Sequence, residues 1–429
     1  MAETNKWTMD PREALRARDG FDLASLDPRS TPGWEGNKSE GRAQMKRTGE
    51  LMNELQERLY AEGRAGGKRS VLVLVQGLDT SGKGGIARHV MGLVDPQGVQ
   101  MRSFGKPTEE ELAQHYLWRI RKALPDPGRI GLFDRSHYED VLAVRVLNLV
   151  PKDEWMPRYE EINEFERELV AGGTIVLKFA MMISHDHQGV RLMRRLDRPD
   201  RYWKYSTSDL ETRSQWNAYQ DAYQAVFERT STDHAPWYVL PADRRWFPRL
   251  AVTEILTRTL IEMDMGWPQP RWKPETQRRL LARTMSTDAL RESYEETEDV
   301  VVEAIEESID VRRDAVEVLA RQEGFDESKT LALIEEKRQE LLATLEATMA
   351  DKQALLAERE HATVTPDPIE STEAVGTDGS KNKTQRKVTA AKGKKSGKSK
   401  KSAKDKKSST SKKSASAGTS KEKATKSDK

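Results

Sequence analysis

The sequence predicts an α/β fold with three layers around a five-stranded parallel sheet, followed by a C-terminal helical hairpin and a disordered basic tail. Three observations predict it. Apolar runs bounded by turn residues recur at Val71–Val75, Val99–Phe104, Ile130–Phe133, Thr174–Met182 and Trp237–Leu240. Stretches long enough for helices separate them, the pattern of parallel strands buried on both faces. Charge, finally, comes in blocks: residues 288–380 hold 9 basic and 26 acidic residues, and residues 381–429 hold 19 basic and 3 acidic. The formal net charge of +2 over 429 residues averages these away. Only the first 287 residues have a globular composition.

The elements follow in order. Lys38 to Gly63 places Met45, Leu51, Leu55 and Leu59 at helical spacing, so a helix inside an N-terminal extension (about 1–66) precedes the sheet. The catalytic domain is expected to span 1–265. A linker, 266–287, contains Pro268, Pro270 and Pro274 and is not expected to sustain a helix. Two charged helical stretches, Asp288–Gln322 and Asp326–Glu360, make an acidic hairpin or short coiled coil over 288–360. Gly324 suits the break and Asp326 an N-cap. In the second stretch Leu331, Ile334, Leu341, Leu345 and Leu355 keep a three–four spacing that Arg338, Thr348 and Lys352 interrupt. Residues 361–429 lack the apolar content to offset ordering entropy and are expected to be disordered.

Composition removes several function classes. There is no cysteine, so disulfide scaffolds, thiolate metal sites and cysteine nucleophiles are excluded. The longest aliphatic run, Val71 to Val75, falls far short of the roughly 20 residues of a membrane helix. Met1 to Asp10 is polar and unlike a signal peptide. A cytoplasmic protein without a membrane partner is the expectation.

The strongest motif directly follows the first strand: Gly77-Leu78-Asp79-Thr80-Ser81-Gly82-Lys83-Gly84, then Gly85. A strand, a glycine-rich turn and a helix aim backbone N–H groups at one anion, and Lys83 adds a point charge. The phosphate-loop pattern is complete except at its last position, where Gly84 replaces the Ser or Thr that normally holds Mg2+. Another oxygen must do that work, and Asp79 is the candidate. The second motif, Phe133-Asp134-Arg135-Ser136-His137-Tyr138-Glu139-Asp140, ends the third strand. A carboxylate there, Asp134, is the usual second Mg2+ contact, and Arg135 can fork onto phosphate oxygens. His137 reads as structural, because transfer to an ionised oxygen needs no general base. After Thr174–Met182 come Arg191, Arg194, Arg195, Arg198, Arg201 and Lys204. Arg191, Arg195 and Arg198 share one helix side, at the sheet edge where α/β ligands bind, and read as a basic lid closing over phosphates. His185 and His187 lack a third metal ligand. Lys106, Arg119 and Arg121 either extend a basic channel or are surface charges. The residues alone give a P-loop kinase fold and a phosphotransferase with an open acceptor.

From about Gly20 to Met265 the chain resembles the second family of polyphosphate kinases. The resemblance rests on Gln76 to Gly85, Pro107-Thr108-Glu109-Glu110-Glu111-Leu112, Leu117-Trp118-Arg119 and Phe133 to Leu142. It continues in Arg191-x-x-x-Arg195, Trp203-Lys204-Tyr205-Ser206-x-x-Asp209 and Ala235-Pro236-Trp237. It implies reversible phosphate transfer between inorganic polyphosphate and nucleotides: ADP/ATP, GDP/GTP or the monophosphates. It implies Mg2+, with Mn2+ as an alternative, held by Asp79 and Asp134. Lys83 becomes the phosphate-binding lysine, Asp134 and Arg135 the strand-end pair, and Arg191, Arg195 and Lys204 the lid cations. Gly77, Gly82, Gly84 and Gly85 line the phosphates, and Glu139 stands where acceptor choice is influenced. A homo-oligomer is expected. The basic tail is a candidate binder of polyphosphate or nucleic acid, or of the acidic hairpin. Two other readings stand beside this one: an ATP-dependent nucleotide kinase, and a nucleic-acid-binding protein with a regulatory P-loop domain.

Overall fold

The computed structural model describes residues 6–320 and 326–361. Five parallel strands form one sheet: β1 (Ser70–Gln76), β2 (Val99–Ser103), β3 (Ile130–Asp134), β4 (Thr174–Met182) and β5 (Trp237–Pro241), in the order β2-β3-β1-β4-β5. Each strand falls on the apolar run that predicted it, to within one residue at either end. The principal helices are α1 (Lys38–Arg64), α2 (Lys83–His89), α3 (Arg158–Ala171), α4 (His185–Leu196), α5 (Trp216–Thr230), α6 (Trp246–Glu262), α7 (Pro274–Ala282), α8 (Thr287–Leu319) and α9 (Glu327–His361).

β1 is buried along its whole length. Val71, Val73 and Val75 join the core under α1 and α6, whereas Leu72 and Leu74 join the core under α3 and α5. Each such side chain contributes about 2 kcal/mol by burial, so the sheet is held from both faces. Leu51, Met52, Leu55 and Leu59 of α1 pack with Leu250, Ile255 and Leu256 of α6 on the first face. Ile162 and Phe165 of α3 pack with Tyr223 and Phe227 of α5 on the second. α1 starts on a capping box: Asn37 Oδ1 accepts from Ser39 N (2.7 Å), and Glu40 Oε2 accepts from Asn37 N (2.7 Å). β2, at the sheet edge, leaves Met101, Arg102 and Ser103 exposed.

The C-terminal segment differs from expectation at one point. Pro274 does not stop a helix but opens α7, at the first helical position, where its missing N–H has no partner to lose. α8 and α9 form a hairpin around Ile305, Ile309, Val316, Ile334 and Leu345. Val311 and Val318 of α8 reach into the main core. Asp326 caps α9, its Oδ1 accepting from Lys329 N at 2.9 Å. Two of the polar interruptions turn out to be cross-hairpin ties. Arg338 donates to Glu306 at 2.7 Å, and Lys352 donates to Ser293 O at 2.8 Å. Gly324 and the basic tail lie outside the described residues. Among the described residues no helix is long and apolar enough to cross a membrane.

Candidate active site

The carboxyl ends of β1, β3, β4 and β5 lie side by side, and each delivers a charged segment to the same edge. From β1 the chain turns through Gly77 at φ 149°, Thr80 at φ 66° and Gly82 at φ 119° before α2 begins at Lys83. A Cβ on Gly77 would sit 2.7 Å from Met181 O on β4, so the loop needs glycine to fold against its neighbour. A Cβ on Gly84 would meet nothing within 4 Å, and one on Gly85 would meet the Arg249 guanidinium at 3.1 Å. These two glycines therefore form a bare backbone floor beside an arginine.

Lys83 folds back over its own loop, Nζ donating to Gly77 O at 2.6 Å. Burial lowers its pKa, opposed by Asp134, Asp79 and Glu139, with Arg135 adding to the lowering. Arg135 follows Asp134 in a left-handed conformation, φ 64°, and donates through Nη2 to Asp79 Oδ1 at 3.1 Å. Burial pushes the Asp79 carboxyl up, but Lys83, Arg135 and Arg195 outweigh it and hold the group below the usual carboxylate range. Glu139 goes the other way: burial raises it more than Arg135 and Lys83 lower it. The Gln76 amide, oriented to satisfy both neighbours, donates to Glu139 Oε1 at 3.1 Å and accepts from Ser136 N at 3.1 Å. Asp79, Lys83, Asp134, Arg135 and Glu139 are thus brought together as the sequence suggested.

The lid cations are not equivalent. Arg191, expected to face phosphate, is 2% exposed. Its guanidinium donates to Thr80 O (2.8 Å), Ser81 O (2.9 Å), Ala242 O (2.6 Å) and Asp243 O (2.9 Å). All of those acceptors are backbone carbonyls, so Arg191 staples the phosphate loop to the exit of β5 through both Nη groups, and among the described residues only its buried Nε is left without a hydrogen-bond partner. Burial, with Arg245 and Arg194 nearby, pushes its pKa down to about 10, still a cation at neutral pH. Arg195 donates to Lys204 O (2.7 Å) and Asp209 Oδ2 (3.3 Å) at the mouth of the site. The Lys204 side chain lies outside the cluster, its Nζ 4.8 Å from the exposed Trp203 ring. α4 itself is anchored by Ser184, whose N and Oγ both donate to Asp243, at 2.9 and 2.8 Å.

Other candidates sort as follows. His137 is fully buried, its Nε2 3.3 Å from Glu166 Oε1. His185 stacks edge-on against Trp216, and among the described residues no group of three or more ligating side chains could hold a metal by itself. Arg119 supports the backbone, donating to Gly105 O at 3.0 Å, whereas Arg121 is an exposed partner of Glu168. Lys106 is exposed.

Sequence reasoning missed two features. Asp209 is buried next to Asp79; burial and that neighbour raise its pKa, while Ser206 N and Arg195 oppose them. More important, Arg195 and Arg194 continue into Arg245, then Arg249, then Arg42 with Arg88 and His89. Burial lowers the pKa of Arg245 and of Arg249, and neighbouring arginines add to the lowering in each; burial with Arg249, Arg88 and Arg42 does the same to His89. Among the described residues none of Arg42, Arg88, Arg194, Arg245 and Arg249 is paired with a carboxylate. The signal was available: Arg244-Arg245 and Arg249 follow β5 at the same sheet edge as the recognised motifs. The result is a lane of unpaired cations leading from the lid, past Gly85, along the ends of α6 and α1.

Comparison with known proteins agrees with this arrangement. Residues 35–266, more than half of the chain, match the family described as Polyphosphate kinase 2. The AMP/ADP-polyphosphate phosphotransferase of Meiothermus ruber is 47% identical over 250 residues, covering 58% of this chain and 92% of that protein. The ADP-polyphosphate phosphotransferase of Rhodopseudomonas palustris is 40% identical over 232 residues, covering 51% of this chain and 79% of that one. The crystal structure of Polyphosphate Kinase 2 from Arthrobacter aurescens TC1 superposes with a TM-score of 0.63 at 44% identity, covering 65% of this chain and 98% of that chain. A lysine-bearing phosphate loop, a strand-end acid–arginine pair and a lane of free arginines on one sheet edge are what a phosphotransferase acting on a polyanion needs, and the chain belongs to the polyphosphate kinase 2 family.

Proposed function

We propose that this enzyme moves the terminal phosphoryl group of polyphosphate onto both nucleoside diphosphates and nucleoside monophosphates, and reverses the transfer, in the cytoplasm. The observation that carries the reading is the lane of unpaired arginines running into the Lys83–Arg135 cluster. A small triphosphate donor needs cations at one point; a polyanionic chain needs them along a path. The relatives' printed names, covering ADP and both AMP and ADP, support the acceptor range.

In this reading polyphosphate lies along Arg42, Arg249 and Arg245, with its reactive end over the bare Gly84–Gly85 backbone. Lys83 and the loop N–H groups hold that end, and Arg135 and Arg195 face the acceptor side. A terminal phosphate oxygen of the nucleotide attacks the end phosphorus in line; one phosphoanhydride bond forms as another breaks, and the shortened polyphosphate leaves as an anion. The attacking oxygen is already ionised, so no base is required. Catalysis is positioning and neutralisation of charge. Arg135 and Lys83 would stabilise the charge on the transferred group, and Glu139, buried next to Arg135, would limit how closely the acceptor approaches.

The family's chemistry calls for a divalent cation, proposed to be Mg2+, and the donor set fits one. Two carboxylates, Asp79 and Asp134, flank Lys83, and among the described residues no protein cage competes with phosphate and water for the remaining positions. When bound there it would supply neutralisation of phosphate charge. The test is synthesis of ATP from ADP, and of ADP from AMP, with purified polyphosphate as the only donor and Mg2+ present. Turnover with both acceptors is expected. Transfer only from ATP, with polyphosphate inert, would favour an ordinary nucleotide kinase and overturn the reading.

A further inference from the structure

We infer that Glu166 and Lys178 are positioning residues for phosphoryl transfer: a buried ion pair that holds, through His137 and Tyr138, the turn carrying Arg135 and Glu139. The inference rests on the reading of Arg135 and Glu139 given above, since neither Glu166 nor Lys178 touches the site.

The turn needs holding. Asp134 ends β3, Arg135 takes φ 64°, and His137–Asp140 make a single 3-10 turn. A non-glycine residue in the left-handed region costs about 1–2 kcal/mol and persists only where its surroundings over-determine it. On the upstream side Arg135 N donates to Val75 O at 3.1 Å, which ties the turn to β1. On the downstream side His137 and Tyr138 enter the core and end on charged groups.

The network they join draws on three separate elements. Lys178, on β4, donates from Nζ to Glu166 Oε2 (2.6 Å), Tyr138 OH (2.8 Å) and Thr230 O (2.6 Å). Glu166, on α3, accepts at Oε1 from Tyr138 OH (2.9 Å) and lies 3.3 Å from His137 Nε2. Thr230 ends α5 and also accepts, through Oγ1, from Trp237 Nε1 of β5 at 3.0 Å. Glu166, Lys178, His137 and Tyr138 are all fully buried. The ammonium thus uses all three of its hydrogens and the carboxylate uses both oxygens.

Stability does not account for this pair. A buried ion pair recovers little more than its desolvation cost and is often matched by apolar side chains of the same size. What apolar side chains cannot do is fix a hydroxyl and an imidazole nitrogen at set distances. Here that fixation acts one residue from Glu139 and three from Arg135. The network lies under α3 and α5, on the opposite sheet face from the arginine lane at α1 and α6. Loosening it should therefore change the reacting end and leave polyphosphate capture alone.

The test is the double variant Glu166→Leu/Lys178→Met, which keeps apolar volume and removes every directed bond. Its melting temperature should stay within a few degrees of the parent. Its kcat should fall about tenfold, as expected for a sub-ångström misplacement of charge-stabilising groups, with KM for polyphosphate essentially unchanged. Glu166→Gln/Lys178→Met, which restores an acceptor and a donor facing Tyr138 and His137, should recover most of the loss. Tyr138→Phe removes only the bridging hydroxyl and serves if the double variant fails to fold; a several-fold drop in kcat at unchanged KM is expected. Parental kcat in a folded Glu166→Leu/Lys178→Met protein overturns the inference, as does parental kcat in Tyr138→Phe. Arg135→Ala is the separate control: near-normal turnover there would remove the site reading itself, whatever the network variants do.

Discussion

Arg191→Met decides between the two roles open to the first lid cation. In the structure Arg191 contributes hydrogen bonds to four carbonyls, two on the phosphate loop and two past β5. Hydrogen bonds from a charged donor contribute about 1.5–3 kcal/mol each, but part of that sum is offset by the guanidinium's own desolvation. Breaking a buried charged network from one side costs about 3–5 kcal/mol in practice. The lower end applies here, because Thr80 O lies at the part-buried rim of the loop, where water can replace the lost donor. A loss of about 3 kcal/mol is therefore expected, read as a lower urea midpoint at unchanged m-value. Turnover should fall as the loop loosens, while KM for polyphosphate moves by less than about threefold, because the cations proposed to capture the chain are elsewhere. The opposite pattern, parental stability with a tenfold or greater rise in that KM, would mean that Arg191 reaches phosphate and that the staple is not its role.

Arg245→Glu and Arg249→Glu should each raise KM for long polyphosphate at least tenfold, weaken its salt dependence and leave KM for ADP near the parental value; steady-state kinetics at two ionic strengths reads this. Asp10 is held below its ordinary pKa, since Arg12 and Arg258 outweigh the effect of burial. A depressed carboxyl contributes stability above its unfolded pKa and loses it as pH falls through the folded one, so Asp10→Asn should be destabilising at pH 7 and progressively less so as pH falls below about 4 in denaturant titrations. Val311→Asp puts a charge where α8 enters the main core and should cost about 3 kcal/mol or more. Its kcat per folded molecule should be unaltered, because no site residue lies on the hairpin.

Much of the site was legible because its parts are local. The phosphate loop and Asp134-Arg135 are runs of adjacent residues at the ends of apolar strands, and strand ends are the one feature that period and turn residues mark well. Arg191 is harder to read from sequence, for the converse reason. Its helical offset to Arg195 identifies a shared side of α4 but not what packs there, and its four acceptors come from segments about 50 and 110 residues distant. Pro274 shows the same limit at smaller scale: whether a proline ends a helix or starts one depends on which side of it the helix forms. Lys352 and Arg338 looked like breaks in an apolar stripe because their partners, Ser293 and Glu306, lie on the other arm of the hairpin.

A polyanion-binding enzyme poses a particular difficulty for sequence reading, since nearly every arginine could be a ligand. Partner chemistry separates them. Arginines whose donors end on carbonyls or carboxylates, such as Arg191, Arg119, Arg58 and Arg258, are already used by the fold. Removing one should lower stability first and rate second. Arginines crowded by other arginines and, among the described residues, left without an acceptor, such as Arg245 and Arg249, are expected to destabilise the free protein by mutual repulsion. An anion lying between them would relieve that repulsion, so in the proposed reading the same contacts that cost stability in the free enzyme would favour a bound polyphosphate chain. It follows that neutralising Arg245 should make the free protein slightly more stable while weakening substrate binding, a sign combination that a structural arginine cannot produce.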